Sequence, residues 1–171
     1  MSKKVVVISS SPRKGGNSDT LCDEFVRGAK DAGNDAKKYF LEEIEFSSCK
    51  ACYKCKTPEM KCFQEDGISE ILEEMMQADV IVYATPVYYF EMCGTLKMFF
   101  DRCYPIFRHL DSKDMYIILA AGSDSGDALS GIRSFINFSK NPTEKAVFEV
   151  LGNVKSQKDM LKKVYNAGFD C

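Results

Sequence analysis

Two groups of residues in this 171-residue chain have the types and spacing that chemistry needs. The first is Ser9-Ser10-Ser11-Pro12-Arg13-Lys14-Gly15-Gly16-Asn17-Ser18, which follows the apolar run Val5-Val6-Val7-Ile8 and precedes a helical pattern. Hydroxyls and unpaired backbone N–H groups supply donors, glycines let the backbone approach closely, and a helix start carries partial positive charge. Together these suit an anionic phosphate. Arg13 can grip one through two parallel hydrogen bonds. The run has neither the G-x-x-x-x-G-K-[ST] spacing of a nucleoside-triphosphate loop nor G-x-G-x-x-G. Taken alone it also fits an ordinary Ser/Gly-rich surface turn.

The second group is Cys49, Cys52, Cys55 and Cys62, spaced C-x2-C-x2-C-x6-C. Three thiolates this close in sequence can wrap one 4Fe–4S cluster, and the fourth can close it after a short loop. Lys50, Lys54, Lys56 and Lys61 would offset the negative charge of such a centre. Metal-free thiols, a zinc site or a reversible disulfide fit the same spacing.

Composition narrows the setting. No apolar run reaches the roughly 18 residues of a membrane span, and the apolar stretch near the N-terminus is too short for a signal peptide. The chain therefore reads as cytoplasmic, where eight cysteines point to metal or redox chemistry rather than a disulfide framework. The net charge is −2 with no basic stripe, so neither nucleic acid nor membrane is expected as a partner. Among the other reactive side chains, His109, the only histidine, reads as a surface or packing residue. Cys22 and Cys103 read as buried small hydrophobes, Cys93 lies in the second loop described below, and Cys171 reads as free. Asp79, Asp101 and Arg102 read as structural ion pairs or caps.

These residues must be held by alternating strands and helices. Strands are expected over Lys4–Ser9, Lys37–Leu41, Ala78–Thr85, Met115–Ala121 and Ala146–Leu151, the third broken by Pro86. Helices are expected over about Ser18–Ala32, Ile68–Met76, Gly94–Tyr104, Gly126–Phe138 and Ser156–Asn166. Gly33-Asn34 should close the first helix, and Ser156 is a candidate cap for the last. The irregular stretch from Phe46 to Gly67 holds the four cysteines. This alternation implies one α/β domain over residues 1–171, a five-stranded parallel sheet covered by helices on both faces. Ligands in such sheets sit beyond the carboxyl ends of the strands at the topological switch point. Three loops should meet there, spanning residues 10–18, 85–94 and 121–127. The second is unusually aromatic: Tyr88, Tyr89 and Phe90 could flank a flat ring, or could pack into the core or a subunit interface.

The run Ser10–Ser18 resembles the G-S-P-R-x-x-G-N-[ST] loop of NADPH-dependent FMN reductases, with Ser10 where that family has Gly. Thr85-Pro86-Val87-Tyr88-Tyr89, with Gly94-Thr95-Leu96-Lys97-Met98-Phe99-Phe100-Asp101-Arg102, resembles the family's [ST]-P-x-Y…L-K-x-F-x-D-R segment. The resemblance spans about residues 4–138 and fades after Asn137. It implies a flavodoxin-like three-layer sandwich with strand order 2-1-3-4-5, binding FMN as a homodimer or higher homo-oligomer. Ser11, Arg13, Gly16, Asn17 and Ser18 would form the phosphate site. Pro86, Val87, Tyr88 and Tyr89 would line the isoalloxazine, with Ala121, Gly122 and Ser123 as a looser match to a third loop. The implied activity is transfer of hydride or electrons from NAD(P)H through FMN to a small acceptor such as a quinone or flavin, with no side chain required as general acid or base. The cysteine spacing resembles that of iron-sulfur flavoproteins, a branch of the same family. That implies the alternative of a 4Fe–4S electron carrier exchanging electrons with a ferredoxin-like protein. A flavin-binding thiol sensor with no enzymatic activity is a third reading.

Overall fold

The computed structural model describes residues 2–57, 59–139 and 142–171. Strands β1 (Lys4–Ser9), β3 (Val80–Tyr88) and β5 (Asp114–Ala121) are buried along most of their length, as strands covered on both faces must be. With β2 (Asp35–Phe40) and β6 (Thr143–Leu151) at the edges, they form a parallel sheet ordered β2-β1-β3-β5-β6. Counting parallel strands alone, this is the expected 2-1-3-4-5. A further two-residue strand, β4 (Glu91–Met92), was not legible in the sequence and pairs antiparallel with Val87 and Tyr88 of β3.

Side chains alternate across the sheet and build two cores. Val5, Val7, Val80, Val82 and Ala84 face α1 (Asn17–Asp31) and α5 (Lys158–Phe169). Val6, Ile8, Ile81, Tyr83 and Ile117 face α2 (Ile68–Gln77), α3 (Gly94–Arg102) and α4 (Ala128–Ile136). The first helix ends as expected. Gly33 has φ +84°, its N–H donates to Lys30 O, and Asn34 N–H donates to Ala29 O, the paired bonds of a left-handed stop.

Two expectations need correction. The central strand runs through Pro86 instead of breaking there: pairing with β1 ends at Ser9↔Ala84, while Pro86 stays in register with Ala120 of β5. A proline is tolerated where one strand side no longer needs its N–H. The last helix begins at Lys158 with Gln157 before it, and Ser156 does not cap it. The Ser156 hydroxyl is committed to Asn153 O at 2.8 Å, inside the short 3-10 turn Val154–Ser156. No helix among the described residues is long and apolar enough to cross a membrane.

Candidate functional site

The carboxyl ends of β1, β3 and β5 open into a cleft of about 370 Å³. Ser11, Arg13, Asn17 and Ser18 form its first wall. The loop there is tightly built. Ser10 donates its N–H and its hydroxyl to Ala84 O, anchoring the loop to β3. The Ser11 hydroxyl donates to Arg13 O at 2.8 Å, and Gly16 N–H donates to the same carbonyl at 2.9 Å. A Cβ on Gly16 would lie 2.8 Å from Ser11 Oγ and 3.0 Å from Arg13 O, so any larger residue would crowd this turn. Gly16 thus sits beneath the loop and does not line the cleft.

Polar groups at this wall lack partners. The first N–H groups of any α-helix have no intrahelical acceptor, and they give the end a positive bias. Ser18 is buried in the first turn of α1, and its hydroxyl has no hydrogen-bond partner. Such a group costs free energy unless a ligand completes it. Lys14 pairs with Glu43 at 2.8 Å, whereas the neighbouring Arg13 is exposed and makes no salt bridge among the described residues. Asn17 is different. Its amide donates to Gly152 O at 2.6 Å and accepts from Val154 N–H at 3.3 Å, so both ends are committed to the turn after β6. Asn17 pins two walls together.

That turn brings Gly152 and Asn153 into the cleft, which sequence reasoning missed. The only signal was a Gly-Asn pair after the last strand, in the segment where the resemblance fades.

The opposite wall is Pro86, Val87 and Tyr88, with Ala120, Ala121 and Gly122 from the end of β5. Beneath it, Cys93 N–H donates to Thr85 Oγ1 at 3.0 Å, and the buried Cys93 thiol lies 3.2 Å from Ser10 Oγ. Tyr89 and Phe90 form the tip of the β3–β4 hairpin with φ of 49° and 64°, a conformation that favours Gly or Asn. Tyr89 is 98% exposed and lies outside the cleft, as does Ser123. Phe90 O accepts Asp127 N–H at 2.8 Å, and a Cβ on Gly126 would meet Phe90 Cβ at 2.4 Å. The third loop is thus seated on the hairpin.

The four cysteines gather elsewhere. Cys49 and Cys52 are exposed, Cys55 and Cys62 are half-buried, and all four are free thiols lining one hollow of about 360 Å³. Burial pushes the Cys55 thiol up, and Cys62, Cys49 and Cys52 push it the same way. Among the described residues no three His, Cys, Asp or Glu side chains are gathered closely enough to hold a metal ion. Arg102, 1% exposed, stands in the wall of the hollow. Its guanidinium donates to Asp66 Oδ2 at 2.7 Å and Oδ1 at 3.0 Å, to Ser47 O at 2.8 Å and to Gln64 O at 3.2 Å, while its Nε has no partner. Asp101 pairs with Lys97 at 2.6 Å, and Asp79 accepts Lys4 N–H at 2.8 Å. The structural roles expected for these three residues are the ones they fill. Cys22 and Cys103 are buried and His109 is exposed, also as expected.

Comparison with known proteins adds the following. The family model of NADPH-dependent FMN reductases matches residues 3–139. An iron-sulfur flavoprotein of Methanosarcina thermophila is 37% identical over 99 residues, covering 58% of this chain and 51% of that protein. This chain therefore spans about half the length of that relative. A Bacillus subtilis protein, whose name describes an NAD(P)H-dependent FMN-containing oxidoreductase, is 30% identical over 131 residues, covering 71% of this chain and 68% of that protein. The solved NAD(P)H:quinone oxidoreductase from Methanothermobacter marburgensis superposes with a TM-score of 0.77 at 19% identity, covering 99% of this chain and 96% of that one, a likeness of fold.

Proposed function

Since the chain belongs to the NADPH-dependent FMN reductase family, we propose that it is an oxidoreductase that holds FMN in the cleft at residues 11–18. It takes reducing equivalents from NAD(P)H and delivers them to a small acceptor such as a quinone or a free flavin. The observation that carries this reading is the buried, unpartnered hydroxyl of Ser18 at the start of α1. It fits a phosphate oxygen, and Ser11, Arg13 and the first-turn N–H groups converge on the same wall. Bound there, FMN would supply hydride and single-electron chemistry. Asn17 would brace the phosphate wall through Gly152 and Val154. Pro86, Val87 and Tyr88, with Ala121 and Gly122 beside them on the same wall, would line the flavin ring. The cleft offers one phosphate seat, which favours FMN over FAD. The exposed aromatics Tyr88, Tyr89 and Phe90 beside it support a homodimer or higher homo-oligomer.

Arg13→Ala is expected to weaken FMN binding by about 1.5–3 kcal/mol, the loss of a charged hydrogen-bond partner. Quenching of flavin fluorescence on titration measures it. An unchanged dissociation constant would remove the phosphate assignment.

A second reading is favoured by the four-thiol hollow. Its donor chemistry fits a thiolate-ligated 4Fe–4S cluster on Cys49, Cys52, Cys55 and Cys62, and a relative carries the name iron-sulfur flavoprotein. In that reading the chain exchanges single electrons with a ferredoxin-like partner. Anaerobic reconstitution with iron and sulfide separates the two. Stoichiometric iron in the wild type, lost in Cys55→Ser while FMN stays bound, supports the cluster. Wild type that takes up no iron removes it.

A further inference from the structure

We propose that Asp19 and Lys38, an ion pair packed behind the phosphate loop, set how strongly the cleft holds a phosphate monoester: Lys38 supports the anion, Asp19 opposes it. This rests on the reading of the cleft as an FMN site. Neither residue lines the cleft, and nothing in the sequence pattern of the loop singles out either one.

Ser18 and Asp19 are consecutive in the first turn of α1. Ser18 lines the cleft, and Asp19 is 0% exposed and does not line it. One oxygen of the Asp19 carboxylate takes Gly15 N–H at 2.8 Å. Gly15 has φ +68° and is the pivot of the loop. The other oxygen takes the Ser9 hydroxyl at 2.9 Å and Lys38 Nζ at 2.8 Å. Lys38 arrives from β2, keeps only 19% of its side chain exposed, and also binds the exposed Asp23 at 2.5 Å. One ammonium thus serves two carboxylates.

Burial would raise the Asp19 carboxyl, but hydrogen bonds from Lys38, Gly15 and Ser9 outweigh it and hold the group below the usual carboxylate range. Burial would likewise lower the Lys38 ammonium, and its bonds to Asp19 and Asp23 hold it above its ordinary value. Both groups are therefore charged at neutral pH. A buried negative charge one residue from Ser18 repels an incoming phosphate, and it already occupies one N–H of the anion-binding loop. Lys38 offsets that field in part, its one charge being shared with Asp23. Asp19 is buried and Lys38 half-buried, so water and salt screen this pair less than they would an exposed one.

A purely structural role, ordering the loop through Gly15, needs only an acceptor at position 19. Asparagine keeps an oxygen to accept Gly15 N–H and removes the charge, its NH2 replacing the oxygen that faces Ser9 and Lys38. Riboflavin has the ring and ribityl chain of FMN without the phosphate, so the ratio of the two affinities reads the phosphate alone. Titration of flavin-free protein with FMN and with riboflavin is the test. Lys38→Gln is expected to weaken FMN about tenfold and leave riboflavin within about threefold. Lys38→Arg should restore the ratio. Asp19→Asn is expected to move the ratio the other way, favouring FMN by about threefold or more. Should Lys38→Gln fail to fold, Asp19→Asn carries the test. Wild type that prefers FMN, with the same ratio in both variants or an equal loss of both ligands, overturns the inference alone. Wild type that binds neither flavin overturns the FMN reading, and the inference with it.

Discussion

Gly28→Ala is expected to lower the melting temperature by about 5–10 °C, although alanine is the better helix former by about 1 kcal/mol. A Cβ on Gly28 would lie 2.0 Å from Tyr165 O and 2.9 Å from Phe169 N. Across the same contact, a Cβ on Gly168 would lie 2.1 Å from Phe25 O. α1 and α5 therefore meet backbone to backbone, with no flexible side chain to give way. Overpacking of an ordinary core costs about 1–3 kcal/mol, and rigid obstacles push this site to the upper end or beyond. Gly131→Ala in α4 is the control. Its Cβ would meet Met92 Cε at 2.8 Å, the far end of a mobile side chain, and stability should hold or rise slightly. Thermal unfolding followed by circular dichroism measures both. Equal behaviour of the two variants would mean that α5 does not sit on α1 in this way. The contact bears on function, because α5 follows directly on the turn whose Gly152 and Val154 hold Asn17.

The sheet was legible because each buried parallel strand is a short apolar run between turn signals, and such runs depend on local sequence alone. That Ser11, Arg13 and Ser18 line one cleft wall was legible for the same reason: they lie within one loop and the helix start it feeds. Asn17 belongs to the same loop, yet its bonding partners are 135 and 137 residues away, and no local pattern announces them. Gly152 and Asn153 enter the cleft by the same long-range route. The β3–β4 hairpin was hidden for a different reason. A two-residue turn with both φ positive is normally signalled by Asn-Gly or Gly-Gly, and here it is made by Tyr89-Phe90. The seat under Phe90 is Gly126, from a third loop. Pro86 misled because a proline breaks a strand only where its missing N–H is needed.

Arg102→Met is expected to cost about 3 kcal/mol, with the damage concentrated between Ser47 and Asp66. Breaking a buried ion pair by removing one partner costs about 3–5 kcal/mol, because the other charge is left uncompensated. Asp66 keeps 19% of its side chain exposed, and water reaching it places the loss at the low end of that range. Arg102 holds Ser47 O on one side of the cysteine loop, and Gln64 O and Asp66 on the other. Its loss therefore unties both ends at once. Removing both charges, in Arg102→Met with Asp66→Asn, should cost less than Arg102→Met alone. Burial would raise the Asp66 carboxyl, but the bond and charge of Arg102 and the N–H groups of Ile68 and Ser47 together outweigh it and hold the group below the usual range. The stability it contributes is therefore present above the unfolded carboxylate value of about 4 and lost as the pH falls through its lower folded value. Limited proteolysis at neutral pH measures the loop directly. The variant should be cut between residues 47 and 66 much faster than the wild type, while FMN binding at the far loop is retained. Equal cleavage rates would mean that Arg102 does not organise the loop. The position of Arg102 is what joins the two centres of this protein. α3 begins at Gly94, after the Cys93 N–H that is tied to Thr85 beside the cleft, and ends at Arg102 in the wall of the thiol hollow. Nine residues of helix, about 13 Å, connect them.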